Sequence, residues 1–150
     1  MNLGTPNHVL LLLKSTDLAS IDGLYITEHF TWSEALGNLK VSESKEVTHA
    51  MLKNVFRMAQ YMERVRTYFG QPLVITSWLR PPSYNKRVGG APKSWHMTGL
   101  AVDFYLAKKG TLNSAELARF NAFHKGGLGQ NRDKGFIHID LGPERIVPYS

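Results

Sequence analysis

Three side chains in this sequence, two imidazoles and one carboxylate, are of the types that bind a zinc ion. His96 and Asp103 lie close together in the chain, and His138 follows much later. A set of two imidazoles and one carboxylate holds a catalytic zinc and leaves its fourth position open to water. A single His or Asp is more often solvated or structural. The residues around these three therefore decide whether they form a site.

The residues around Asp103 predict a tight turn followed by a short strand. Gly99 permits the turn, since glycine adopts backbone conformations closed to other residues. The stretch 101–105 then alternates, with Val102 and Phe104 on one face. Because successive side chains of a strand point to opposite faces, Asp103 is expected on the other face.

A second stretch with the same alternation surrounds His138. Its aliphatic residues occupy every second position, and His138 and Asp140 lie between them; these aliphatic residues are Ile137, Ile139 and Leu141. Two such strands side by side would bring His96, Asp103 and His138 together. The pattern predicts a zinc-dependent hydrolase.

Longer motifs surround these residues. They occupy residues 75–85, 88–90, 94–103 and 136–143, with a weaker one at 29–34. In these motifs, and over roughly residues 24–145, the sequence resembles the peptidase M15 family of zinc D-Ala-D-Ala carboxypeptidases and phage endolysin peptidases. The resemblance implies zinc as cofactor, with His96, Asp103 and His138 as its ligands, and peptide hydrolysis as the reaction.

The resemblance also implies that Arg80 holds a substrate carboxylate or carbonyl. A guanidinium offers a planar fork suited to that contact. The alternative is that Arg80 ties down its own loop. Four further residues of the motifs are candidate substrate contacts: Ser77, Tyr84, Asn85 and Ser94. For Tyr84 and Asn85 a supporting role is equally open.

Hydrolysis also needs a group that takes a proton from water, and here the sequence departs from the family. Many relatives carry a Glu three residues before the last His ligand, where this chain has Gly135, and others carry a His where it has Phe136. Asp140 is the first candidate for the base, or else a carboxylate that orients an imidazole. Asp133 and His124 follow, although a His at a helix end is more commonly solvated or interacting with the C-terminal helix dipole.

Composition limits the class of protein. A chain of 150 residues with 43% hydrophobic residues forms one domain, here residues 1–150 with 1–23 as an N-terminal arm. The absence of cysteine excludes thiolate ligands and disulfides. The net charge of +6 favours a polyanionic partner such as a bacterial wall. Dense basic runs are absent, so we expect no nucleic-acid partner, and we expect a monomer.

The N-terminal region contains a short apolar run at residues 9–13. No Lys or Arg precedes it and Lys14 follows at once, which does not fit a signal peptide. The run is too short to span a membrane. We expect a buried strand or short helix here, and a protein that is cytoplasmic when made and acts on the wall after release, or is virion-associated.

Hydrophobic spacing predicts the remaining elements. The longest helix is expected at 49–69 and a strand at 73–76, with loops at 37–47 and 77–95. The apolar stripe of the long helix is predicted to consist of Leu52, Val55, Phe56, Ala59, Met62, Val65 and Phe69.

Two capping boxes predict shorter helices. Thr31 with Glu34 opens one, and Asn113 with Glu116 opens another that ends at residues 125–127. We therefore predict an α+β fold in which helices pack on one side of a small, mostly antiparallel sheet. The family resemblance implies the same fold, of the hedgehog and DD-peptidase type.

Two functions are consistent with these observations. The first is a zinc peptidase that cleaves peptidoglycan stem peptides, of the carboxypeptidase or the endolysin kind. The second is a non-catalytic, zinc-stabilised cell-wall-binding or virion-structural module that has kept the metal site and lost the base. Release of amino groups from peptidoglycan, with and without a chelator, distinguishes them.

Overall fold

A computed structural model of the chain describes residues 2–15 and 17–148. The helices in this part are α1 (Pro6–Lys14), α2 (Trp32–Leu36), α3 (Val41–Ser44), α4 (His49–Phe69), α5 (Pro82–Arg87) and α6 (Ser114–Phe123), with 3₁₀ turns at Leu18–Ile21 and Trp95–Thr98. The strands are β1 (Tyr25–Thr27), β2 (Phe30–Thr31), β3 (Leu73–Ser77), β4 (Ala101–Leu106), β5 (Gly127–Asn131), β6 (Phe136–Asp140) and β7 (Arg145–Ile146).

The main sheet has the strand order β3-β4-β6-β5-β7. Its first four strands pair antiparallel, and β7 pairs parallel with β5. A separate antiparallel pair is formed by β1 and β2. The α+β class with a small, mostly antiparallel sheet is thus confirmed.

The apolar face of the sheet and the long helix α4 belong to one hydrophobic core. Val102, Phe104, Ile137 and Ile139 are fully buried, together with six residues of α4: Leu52, Val55, Met58, Ala59, Met62 and Val65. Helix α4 has the predicted bounds, and Gly70 ends it with φ +66°. Within the described residues no helix has the length and apolarity needed to cross a bilayer.

The prediction that Phe56 belongs to the apolar stripe of α4 was wrong. Phe56 is 39% exposed, whereas Val55 is fully buried. Consecutive helical residues are rotated by about 100° around the axis, so Phe56 lies beyond the edge of the buried face. Of the buried strand and the short helix expected at the N-terminal apolar run, the structure shows the helix: α1 spans the run and buries Val9 and Leu13.

Both predicted loops contain a short helix, so these two loop predictions were partly wrong. A single turn, α3, lies within 37–47, and α5 lies within 77–95. Arg87 on α5 donates from Nε and Nη2 to the buried Glu43 on α3, at 2.6 and 2.8 Å. These hydrogen bonds hold the pKa of Glu43 at about 2. Elements of four to six residues are too short for periodicity to reveal.

Strand β5 was not predicted at all. Residues 125–127 were expected only to end α6, yet Gly127 begins a strand in which Gly129 pairs with His138. Glycine has low strand propensity, and here pairing with β6 overrides it. This strand completes the sheet beneath the candidate site.

Candidate active site

The structure brings His96, Asp103 and His138 together on one face of the sheet. Asp103 on β4 pairs in register with His138 on β6, so both side chains project to the same face. His96 reaches them from the 3₁₀ turn Trp95–Thr98, which Gly99 closes with φ +88°. Asp103 Oδ1 lies 2.8 Å from His138 Nδ1 and 3.2 Å from His96 Nε2.

This cluster fits a zinc ion in its donors and in its spacing. The three candidate ligand atoms lie within 4.8 Å of one another, and the residues are buried: His96 is 2% exposed, Asp103 4% and His138 5%. Ligand atoms about 2.0–2.1 Å from a tetrahedral zinc are roughly 3.3 Å apart, close to the separations seen here. Two imidazoles and a carboxylate also leave one position open.

The contacts behind the imidazoles fix which nitrogen each one turns toward Asp103. His96 Nδ1 donates to the carbonyl oxygen of Trp78 at 2.7 Å, and a carbonyl can only accept. His138 Nε2 donates to Asp140 Oδ2 at 2.8 Å. Because one ring nitrogen of each His carries its proton outward, the other is left as a lone-pair donor.

The charges in the cluster are strongly coupled. Burial disfavours ionisation of Asp103, but the facing imidazoles of His96 and His138 outweigh it and hold the pKa of Asp103 well below its usual range. Burial likewise opposes charge on His138, yet the carboxylates of Asp103 and Asp140 on either side of this ring raise its pKa. The cluster therefore keeps an ionised carboxylate at its centre.

Asp140 lies directly behind His138 and is saturated with hydrogen bonds. It is fully buried. Its Oδ1 accepts from the backbone N–H groups of Gly127 at 3.2 Å and Gly142 at 2.9 Å. Arg145 donates from Nη1 and Nη2 to the two oxygens, each at 2.9 Å. Burial opposes its ionisation, but His138 and Arg145 outweigh this and keep the pKa of Asp140 well below its usual range.

Arg145 is a residue of the site that sequence analysis missed. It lies on β7, which reaches the site by parallel pairing with β5. A Cβ at Gly127 would collide with both the Arg145 guanidinium and the Asp140 carboxylate, so this pair requires glycine there. The one local feature that points to Arg145 is its position shortly after the Gly142-Pro143 turn. Its meaning depends on a strand pairing that local patterns do not reveal.

Arg80 borders the metal cluster and is itself anchored. Its Nη2 donates to Asp103 Oδ2 at 3.2 Å, and its Nε donates to Ser77 Oγ at 2.9 Å. Its backbone N–H donates to the carbonyl oxygen of His96 at 2.9 Å. These contacts place the Arg80 guanidinium beside the candidate metal site, and Ser77 supports the guanidinium.

The other candidate substrate residues occupy different places. Ser94 accepts at Oγ from the His96 backbone N–H at 3.1 Å and lines the cleft. Tyr84 is buried beneath the Arg87 guanidinium, 4.7 Å from the ring centroid. Asn85 is 3% exposed and donates to the Ala91 carbonyl at 2.9 Å. Its Oδ1 has no hydrogen-bond partner within residues 2–15 and 17–148.

Most of these side chains border one cleft of about 560 Å³, but the described residues that line it do not include Ser77, Tyr84 or Asn85. The metal cluster lies in it, beside Arg80, Ser94 and Gly90. A cleft with a cluster of buried ligands and an anchored guanidinium has the composition of a hydrolytic site.

A sequence model of the family described as Peptidase M15 matches residues 28–140. The chain belongs to the peptidase M15 family. The resemblance inferred from the motifs is thereby confirmed, and M15 peptidases are zinc-dependent. No curated protein matches the sequence. The M15 match ends at Asp140, so Arg145 lies outside the matched segment.

Two residues considered for proton transfer lie outside this M15 cleft. His124 was expected to be solvated or to interact with the helix dipole, and the structure excludes the solvated position, since His124 is 1% exposed. Its Nδ1 lies 2.6 Å from the Tyr61 hydroxyl, and its Nε2 donates to the Gly127 carbonyl at 2.9 Å. Burial lowers its pKa. Asp133 is exposed and borders a neighbouring groove. The described residues that line the cleft include neither of them.

Proposed function

We propose that this M15 peptidase binds one zinc ion through His96, Asp103 and His138 and hydrolyses peptide bonds in peptidoglycan stem peptides. The observation that carries the proposal is the buried two-imidazole, one-carboxylate cluster within a cleft bordered by an anchored guanidinium. The match to the peptidase M15 family supports this reaction class. The net charge of +6 also suits an anionic cell wall.

Each residue of the cluster has a distinct task in this proposal. Zinc, when bound, supplies Lewis acidity that polarises a peptide carbonyl and makes water nucleophilic near neutral pH. His96 presents Nε2 and His138 presents Nδ1, each held by the hydrogen bond on its other nitrogen. Asp103 supplies the negative charge, and its second oxygen stays bound to Arg80.

Arg80 is the donor that we assign to the substrate backbone. Nε and Nη2 of Arg80 are engaged by Ser77 and Asp103, and Nη1 lies beside Gly90 at the cleft wall. Asn85 Oδ1 lies beside the same glycine. We assign Arg80 to a substrate carbonyl or carboxylate. Asn85, which is 3% exposed and donates to the Ala91 carbonyl, has the supporting role.

We assign Asp140 to the orientation of His138. A carboxylate that is fully buried and engaged at both oxygens has no lone pair directed at water in the cleft. Among the described cleft residues, Asp103 and Asp140 are the carboxylates, and each is bound by an arginine. This lack of a free base favours one alternative, a zinc-stabilised wall-binding module without activity.

Amino-group release from purified peptidoglycan tests the proposed function. The zinc-loaded protein is expected to release amino groups, a chelator should stop the release, and added zinc should restore it. If the zinc-loaded protein sediments with peptidoglycan but releases no amino groups, the binding-module alternative holds and the peptidase proposal is wrong.

Arg80→Lys is expected to lower kcat/KM about 10- to 100-fold while zinc content stays normal. Lysine keeps the charge but cannot hold Ser77, Asp103 and a substrate oxygen in one planar fork. The magnitude follows from a hydrogen bond to a charged group, worth about 1.5–3 kcal/mol. Arg57→Lys, on the exposed face of α4, is the matched control and should leave turnover unchanged. An Arg80→Ala enzyme with full activity would remove Arg80 from the site.

A further inference from the structure

The cleft carries more positive than negative charge. Four cationic side chains line it, against the carboxylates of Asp103 and Asp140; the cations are Arg80, Lys93, Lys134 and Arg145. A bound divalent metal would add two further positive charges. The cleft therefore presents an excess of positive charge to whatever enters it.

The two arginines are neutralised by the two carboxylates, and the lysines are not. Arg80 pairs with Asp103 at 3.2 Å and Arg145 pairs with Asp140 at 2.9 Å. Lys93 and Lys134 are both exposed, and no carboxylate of the described residues lies within 4.0 Å of either ammonium group. The uncompensated charge of the protein in this cleft thus belongs to the two lysines.

The lysines lie on the segments that carry the two imidazoles of the site. Lys93 precedes Ser94, the N-cap of the 3₁₀ turn with His96. Lys134 lies in the turn between β5 and β6, and its backbone N–H donates to Asn131 Oδ1 at 2.9 Å. The neighbouring acid, Asp133, borders a different groove. A ligand that enters the cleft therefore meets a lysine from each of two segments.

We propose that the cleft selects peptides that carry a carboxylate of their own near the scissile bond, in addition to the group that Arg80 binds. Lys93 and Lys134 are then specificity-determining residues for an acidic peptide. This inference rests on the proposed peptidase function. In chemical terms, the preferred substrate has a free carboxylate, such as that of a γ-linked glutamyl residue. The matching amide is the poor substrate, since amidation removes the charge.

The expected size of the preference is modest because both lysines are exposed. An exposed ion pair changes affinity by about one- to fivefold, so two lysines together give roughly tenfold. Screening by salt should reduce the preference, since the Debye length falls to about 3 Å at 1 M ionic strength.

The test uses two synthetic stem peptides that differ only in a free or amidated glutamyl carboxylate. The zinc-loaded wild type is expected to cleave the acidic peptide with a KM about tenfold lower at low ionic strength. In the Lys93→Gln, Lys134→Gln double variant the acid-to-amide ratio should fall towards one. Lys108→Gln, in the turn after β4, is the control and should keep the wild-type ratio.

Equal KM values for the two peptides in the wild type would overturn the inference, and so would a preference that survives in the double variant. If the wild type cleaves neither peptide, the proposed peptidase function is wrong. The charge selection is then tested separately, by measuring the affinity of the zinc-loaded protein for the same two peptides by calorimetry. Tighter binding of the acidic peptide that disappears in the double variant supports the charge selection. Equal binding overturns it.

Discussion

His138→Ala is expected to lose metal affinity and peptidase activity together. Its Nδ1 is one of three candidate ligand atoms around a single point, 2.8 Å from Asp103 Oδ1. Four-ligand structural zinc sites bind with about 10–16 kcal/mol, so one ligand contributes roughly 3 kcal/mol, or about 100-fold in affinity. Elemental analysis and competition with a chromogenic chelator measure the loss of zinc, and amino-group release measures the loss of activity.

The control for this variant is His8→Ala, whose imidazole is exposed on α1 and should affect neither zinc nor activity. The wild type should remain folded without zinc, because its hydrophobic core lies on the other face of the sheet and buries residues from both α4 and the strands. Stoichiometric zinc in purified His138→Ala would contradict the ligand assignment. Loss of the far-ultraviolet circular dichroism signal when the wild type is chelated would contradict the independence of the core.

The parts of the fold that were predictable from the sequence have strong local patterns. Helix α4 combines a long apolar stripe with Gly70 at its end, so even its bounds could be predicted. The strands of Asp103 and His138 alternate with period two, which places both side chains on one face before their register is known. The candidate metal cluster is predictable because Asp103 and His138 lie on strands whose alternating sequence shows which side chains share a face.

The parts that were missed depend on contacts distant in sequence. Strand β5 is rich in glycine and becomes a strand only by pairing with β6. The burial of His124 depends on Tyr61, which is 63 positions away on α4. Arg145 reaches Asp140 only because β7 pairs with β5 and because Gly127 lacks a side chain. A single sequence carries no local pattern for any of these contacts.

Asp140→Asn is the second variant with a large expected effect, and it separates two roles for this carboxylate. If Asp140 orients His138, the variant should weaken zinc affinity or activity by about 10–100-fold. If it is the general base, zinc affinity should stay nearly intact while the rate falls by roughly 10²–10⁴-fold. We expect the first result, because Asp140 is fully buried and its Oδ2 is held at 2.8 Å from His138 Nε2.

A substitution of Arg145 tests the same two roles of Asp140 independently. Arg145 contacts Asp140 at both oxygens and has no role in the general-base hypothesis except through that carboxylate. If Asp140 positions His138, Arg145→Gln should also weaken zinc binding, and the Asp140→Asn, Arg145→Gln double variant should be little worse than the stronger single variant, because residues of one network are not additive. Fully additive losses would mean that Arg145 acts independently of Asp140. Full rate and full zinc in Asp140→Asn would exclude both roles.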